Sequence, residues 1–301
     1  MTACPQQSKD RPMPELCGIG LRAPHYEDLL LQSPAVGFLE IHSENYFGAG
    51  GKPQVYLEKI AQDYPISFHG VGLSLGSTDE LSISHLQRLK ELADIYQPLL
   101  ISEHLSWGSI DGSFLNDLLP LPYTDEALTL MCRHVEIMQD YLGRQCLIEN
   151  ISSYLRFNES TMSEQSFIVE LARSTGCGIL LDINNIYVSS INHHFDAKQF
   201  IAEIPATLVK EFHLAGHVCN TFKDGKILID SHNRPVCEEV WQLYAYALEH
   251  IGGRPCLVEW DSDLPSLPTL VAEAHHADQI NQRIIYGGPN AESSPIAANL
   301  R

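Results

Sequence analysis

Short apolar runs recur along the chain at regular intervals. Eight of them have the length and bounds of buried strands: LCGIGLR (16–22), GFLEIHS (37–43), ISFHGVG (66–72), LLISEHLS (99–106), CLIEN (146–150), GILLDINN (178–185), LVKEFHLAG (208–216) and CLVEW (256–260). Helical patterns lie between them. In TDEALTLMCRHVEIMQDYLG, residues Leu128, Met131, Val135, Met138 and Leu142 recur every three or four positions; Thr124 stands at the N-cap, Asp125 and Glu126 in the first turn, and Gly143 after the end. LQRLKELADIY repeats the pattern with Leu86, Leu89, Ala93 and Tyr96. Strands alternating with helices, with no linker between halves, predict one α/β domain folded as a (β/α)8 TIM barrel. A doubly wound open sheet is the alternative, disfavoured because the first strand-to-helix turn, GIGLRAPHYE, lacks a GxGxxG phosphate loop. The barrel should span 15–286, after a flexible segment 1–14 and before a mobile tail 287–301. Between the seventh and eighth runs, CNTFKDGKILIDSHNRPV contains Asp224-Gly225, which predicts an extra β-hairpin.

Composition narrows the function classes. The chain has 301 residues, of which 44% are hydrophobic, enough for a large core. MTACPQQSKDRPMPE carries no apolar signal segment and no run of about 18 apolar residues occurs, so a cytoplasmic protein with no membrane partner is expected. The 8 cysteines lack CxxC spacing, and Cys146, Cys177 and Cys256 adjoin apolar runs, which predicts reduced, mostly buried thiols. A formal charge of -19 opposes binding to nucleic acid and leaves room for cations.

In a barrel, the C-terminal strand ends build the active site. Here the third run ends at His69, the fourth at Glu103 and His104, the fifth at Glu149 and Asn150, and the sixth at Asp182 with Asn184 and Asn185. The seventh ends at His213 with His217 four residues on, and the eighth at Glu259; the hairpin adds Asp230 and His232, expected on one face of a strand. Singly, each could be a helix cap or a hydrogen-bonded structural residue. Together, so many charges on one rim need a cation between them. Imidazoles and carboxylates without thiolate suit Fe, Mn or Zn, in numbers that call for at least two ions. By contrast His85, His134, His250, His275 and His276 fall in helical segments and are expected to face solvent, while His25, His42, His193 and His194 lie near loops and are left unassigned.

With SFHGVGLSLG, SEHLSW, IENISSY, LLDINNIYVS, EFHLAGH and LIDSH in this order, the chain resembles the multinuclear non-haem iron-dependent oxidases, the family of the methanobactin-biosynthesis oxidase, from about Gly18 to Asn281. The resemblance implies a TIM barrel holding two or three iron ions that use O2 to modify cysteine residues in ribosomally made precursor peptides. It implies metal ligation by His69, His104, Glu149, Asp182, His213, Asp230, His232 and Glu259, with Asn150, Asn185 and His217 as further candidates at or behind the ligands; Glu103, at the end of the fourth run, is a further candidate from its position. It also implies a separate partner protein that binds the precursor's leader. No general base stands out. Two other readings remain: a different divalent-metal barrel enzyme, such as a sugar isomerase or a zinc phosphodiesterase acting on DNA, and a non-catalytic metal-binding scaffold.

Overall fold

The computed structural model describes residues 16–287 apart from 49 and 224. The expected flexible segment, nearly all of the expected tail and Asp224 therefore lie outside the described residues. All eight apolar runs become barrel strands: β1 (Gly18–Gly20), β2 (Leu39–His42), β3 (Ile66–His69), β4 (Ile101–His104), β7 (Leu147–Glu149), β8 (Gly178–Asp182), β9 (Val209–Ala215) and β12 (Cys256–Glu259). They close in the parallel order β1-β2-β3-β4-β7-β8-β9-β12, and β12 returns to β1. Among the described residues no helix is long and apolar enough to cross a membrane.

The helices begin and end where their sequences dictate. Helix α4 (Asp125–Leu142) starts where the Thr124 hydroxyl accepts from Ala127 N and stops at Gly143, whose φ of 70° suits a residue without Cβ. Its buried stripe includes His134, only 1% exposed, whose Nδ1 lies 2.8 Å from Leu75 O; the expectation that it faces solvent is wrong. Position 134 is three residues after Met131 and four before Met138, so the helical period puts it on the buried side. His85 is also turned inward, 3.5 Å from Glu44, whereas His250, His275 and His276 are exposed as expected.

Side-chain alternation separates two environments. Leu39, Ile41, Phe68, Ile148, Phe212 and Leu214 are fully or almost fully buried in the apolar layer between strands and helices, or beside it. The intervening positions on β2, β3, β4 and β9 carry Glu40, His42, Ser67, His69, Ser102, His104, Glu211 and His213, which face the barrel axis. The barrel interior is therefore polar near its C-terminal end. Removing a ring from the apolar layer tests that layer: Phe212 is fully buried, with its ring edge-on to Tyr244 at 5.7 Å, so Phe212→Ala is expected to cost ~3–5 kcal/mol in urea unfolding.

Two antiparallel hairpins project beyond the barrel. β10 (His217–Phe222) and β11 (Gly225–Asp230) form the expected one, but Gly225 already pairs with Phe222, so it belongs to the strand rather than to the turn. β5 (Trp107–Ile110) and β6 (Ser113–Leu119) form a second hairpin that the apolar pattern does not predict. Its turn is Asp111-Gly112, with φ of 49° and 69°.

Candidate metal centre

Strand register assembles the rim. His42 lies beside His69, His104 beside Glu149, and Asp182 beside His213 across adjacent strands. The most completely defined group is His69, His104 and Glu149. His104 Nδ1 lies 3.0 Å from Gly70 O; a carbonyl can only accept, so Nδ1 carries the proton and Nε2 keeps its lone pair. His69 Nδ1 lies 2.7 Å from Ser102 Oγ, which can accept from it while donating to Phe68 O at 3.3 Å. The two Nε2 atoms then face each other at 3.2 Å, and Glu149 Oε2 stands 3.3 and 3.4 Å from them with no hydrogen-bond partner. Lone pairs from three buried side chains meeting at one point repel unless a proton or a metal cation lies among them. Burial pushes His104 down to about 4 and His69 well below the usual imidazole range, so both are neutral, the form that binds metal.

The centre continues across the rim through Asp182 and His213. Asp182 Oδ1 caps the helix Ile183–His193 by accepting from Asn185 N, while its Oδ2 has no partner. His213 is fully buried, with Nδ1 3.4 Å from Glu259 Oε2 and Nε2 3.4 Å from Glu40 Oε2, neither in hydrogen-bond geometry. Ligand atoms of Glu149, Asp182 and His213 lie within 4.8 Å of one another. Burial raises Glu149 well above the carboxylate range and Asp182 to about 7. Burial alone would lower His213, but Glu40 and Glu259 outweigh it and raise it strongly. Without a cation, protons hold this cluster together; a metal ion would displace them.

Asp230, His232 and Glu259 meet on the far side. His232 Nε2 lies 2.7 Å from Asp230 Oδ1 without hydrogen-bond alignment, and its Nδ1 is 3.4 Å from Glu259 Oε2. His232 is not on the strand as expected: β11 ends at Asp230, and His232 has a φ of 45°, with its N donating to Gly216 O and its carbonyl accepting from Asp261 N. Backbone ties across the mouth, rather than strand alternation, aim the ring.

The further candidates divide. Asn185 donates to Glu149 Oε1 at 3.2 Å and keeps a buried, partnerless Oδ1. Asn150 spends both ends on the backbone of Asp182, bracing β7 against β8. His217 stands behind the centre, 2.9 Å from Asn184 Oδ1, and Asn184 in turn donates to Asp230. Glu103 does not join the centre. It neighbours His104 on one strand, so the two point to opposite faces; its carboxylate accepts from Leu73 N, and burial pushes it up to about 8.

Several residues that strand ends alone did not single out border the centre. Arg22 donates to Asp261 and places Nη2 3.0 Å from His42 Nε2, while His42 lies 3.7 Å from Glu259. Glu40 and Glu211 sit deeper, both fully buried and with every carboxylate oxygen lacking a partner. Above the centre a cavity of about 490 Å³ opens between His104, Glu149, Asn185, Asp230 and His232 on one side and Phe114, Leu115 and Tyr154 on the other. The second hairpin thus forms one wall of the mouth.

A family model for the RiPP precursor modification enzymes MbnB/TglH/ChrH matches residues 16–282. The chain belongs to this family. Members of the MbnB/TglH/ChrH family are enzymes that modify ribosomally synthesised precursor peptides, so this barrel is that of a peptide-modifying enzyme family. Its curated relatives include a UPF0276 protein of Psychromonas ingrahamii, 48% identical over 89% of this chain and 94% of that one. A UPF0276 protein of Vibrio vulnificus is 49% identical over 87% and 90%. Similar solved structures include an L-ribulose 3-epimerase, with a TM-score of 0.59 and 13% identity over 92% of this chain and 99% of that one. A xylose isomerase-like TIM barrel protein from Mycobacterium smegmatis in complex with magnesium has a TM-score of 0.56 and 12% identity over 90% and 97%. At such identity the likeness is one of fold alone.

Proposed function

We propose that this MbnB/TglH/ChrH-family protein is a multinuclear non-haem iron oxidase that uses dioxygen to modify a cysteine of a precursor peptide. One observation carries the metal reading: the ligand atoms of His69, His104, Glu149, Asp182, His213 and His232 converge on one rim, those of the last four with no hydrogen-bond partner among the described residues. His69, His104 and Glu149 would hold one ion, Glu149, Asp182 and His213 a second, and Asp230, His232 and Glu259 a third. The donor set of imidazole and carboxylate fits iron. Iron there would supply an open position for a thiolate and electron transfer with dioxygen.

The chain's own residues hold and aim these ligands. Ser102 and the Gly70 carbonyl fix the His69 and His104 rings, and Asn185 turns the Glu149 carboxylate. The 490 Å³ mouth, walled by Phe114, Leu115 and Tyr154, admits a peptide side chain. A separate protein that binds the leader belongs to this reading, as the family resemblance implies.

Anaerobic reconstitution with ferrous iron or with zinc, followed by exposure to air and mass measurement of a cysteine-containing peptide encoded nearby, tests the proposal. Iron is expected to support a defined mass change and zinc to fill the same ligands without supporting it, because zinc has no redox chemistry. Equal turnover with zinc would make the protein a hydrolase or isomerase.

A further inference from the structure

Beneath the rim lies a group that the ligand set leaves unexplained. Glu40 and Glu211 face the barrel axis one layer below His42 and His213, and both are 0% exposed. Among the described residues, no oxygen of either carboxylate has a hydrogen-bond partner. Ser67, beside Glu40 in register, sends its hydroxyl toward Leu100 O at 3.5 Å instead. From above, His213 Nε2 stands 3.4 Å from Glu40 Oε2, close enough for a small turn of either side chain to bring the pair from its present geometry into a hydrogen bond.

A neutral imidazole has one lone pair and one N–H. His213 points Nδ1 to the rim, 3.4 Å from Glu259, and Nε2 down to Glu40. In this neutral form it cannot serve a cation at both ends. If Nδ1 faces the metal centre, Nε2 must carry the proton, and Glu40 is the acceptor placed to receive it.

We infer that Glu40 is a positioning residue, which takes the Nε2–H of His213 from inside the barrel and so fixes that imidazole as an Nδ1 metal donor of raised basicity. This carboxylate–histidine–metal arrangement is the common means of setting ring orientation and donor strength. The inference rests on the proposed metal centre and extends it one layer into the barrel. Glu40→Gln keeps the side chain's size and an acceptor carbonyl but removes the charge.

The experiment reads metal per chain during chelator titration, the reduction potential of the iron-loaded protein, and the melting temperature of the metal-free chain. Glu40→Gln is expected to weaken one ion by roughly 10- to 100-fold while leaving the others, and to raise the potential, because a less electron-rich imidazole favours ferrous iron. Glu40→Asp, which retains the charge, should recover most of the affinity. Unchanged affinity and potential in Glu40→Gln overturn the inference while the metal centre stands. Equal loss of every ion together with a lowered melting temperature, or a Glu40→Asp chain as defective as Glu40→Gln, assigns Glu40 to packing and overturns it too. A wild-type chain that takes up no metal overturns both this and the proposed function.

Discussion

Glu149→Ala is expected to release at least one metal ion per chain and to abolish peptide modification while leaving the barrel folded. Its Oε2 lies 3.3 Å from His69 Nε2 and 3.4 Å from His104 Nε2, and its ligand atom also falls within reach of Asp182 and His213, so one carboxylate serves two neighbouring groups. The fold should tolerate the change because, among the described residues, Oε2 has no hydrogen-bond partner and Oε1 receives only the Asn185 amide. Losing that single contact costs about 1 kcal/mol, and burial of a lone carboxylate opposes folding, which offsets the loss. Activity should fall by more than the roughly 10- to 100-fold typical of losing a group behind the ligands. Elemental analysis, circular dichroism and peptide mass measurement on the same preparation check it. Full metal occupancy with normal turnover would remove Glu149 from the centre.

The barrel was legible because each strand is an apolar run bounded by polar residues, and each crossover helix carries its own period. The candidate site was legible as a set of strand ends, where His69, His104, Glu149, Asp182 and Glu259 stand. Ranking neighbours required side-chain alternation. Glu103 and His104 are adjacent and must diverge, while Glu40 and His42, like Glu211 and His213, stand two apart and share a face. That Glu-x-His spacing within apolar runs was a usable signal for the deeper carboxylates. Arg22 and Asp261 lie two residues beyond their strands, where only chain geometry brings them together. The second hairpin escaped because its strands are half-buried or exposed and carry no apolar alternation to flank Asp111-Gly112. For His232, a strand was assumed to continue where the backbone turns into the left-handed region.

That turn makes the loop after β11 a place where metal binding and loop order can be told apart. Asp230 already receives the Asn184 amide at 2.7 Å and Ser152 Oγ at 3.3 Å, and His232 is tied through its backbone to Gly216 and Asp261. If these contacts only pin the loop, Asp230→Ala should cost about 1–3 kcal/mol of stability and no metal, because the ties of His232 do not depend on its ring. If the loop completes the centre, Asp230→Ala and His232→Ala should each release roughly one metal equivalent and lose peptide modification. The orientation of His232 favours the second outcome: both its ring nitrogens face carboxylates, Asp230 on one side and Glu259 with Asp261 on the other. Lys226→Ala is the control, on the same hairpin but exposed and paired with Thr221 near its tip, and it should keep both metal and turnover. Iron per chain and product formed, measured for the three variants together, decide between them. Matching values in all three would make the hairpin a lid and leave the metal to the barrel strands alone.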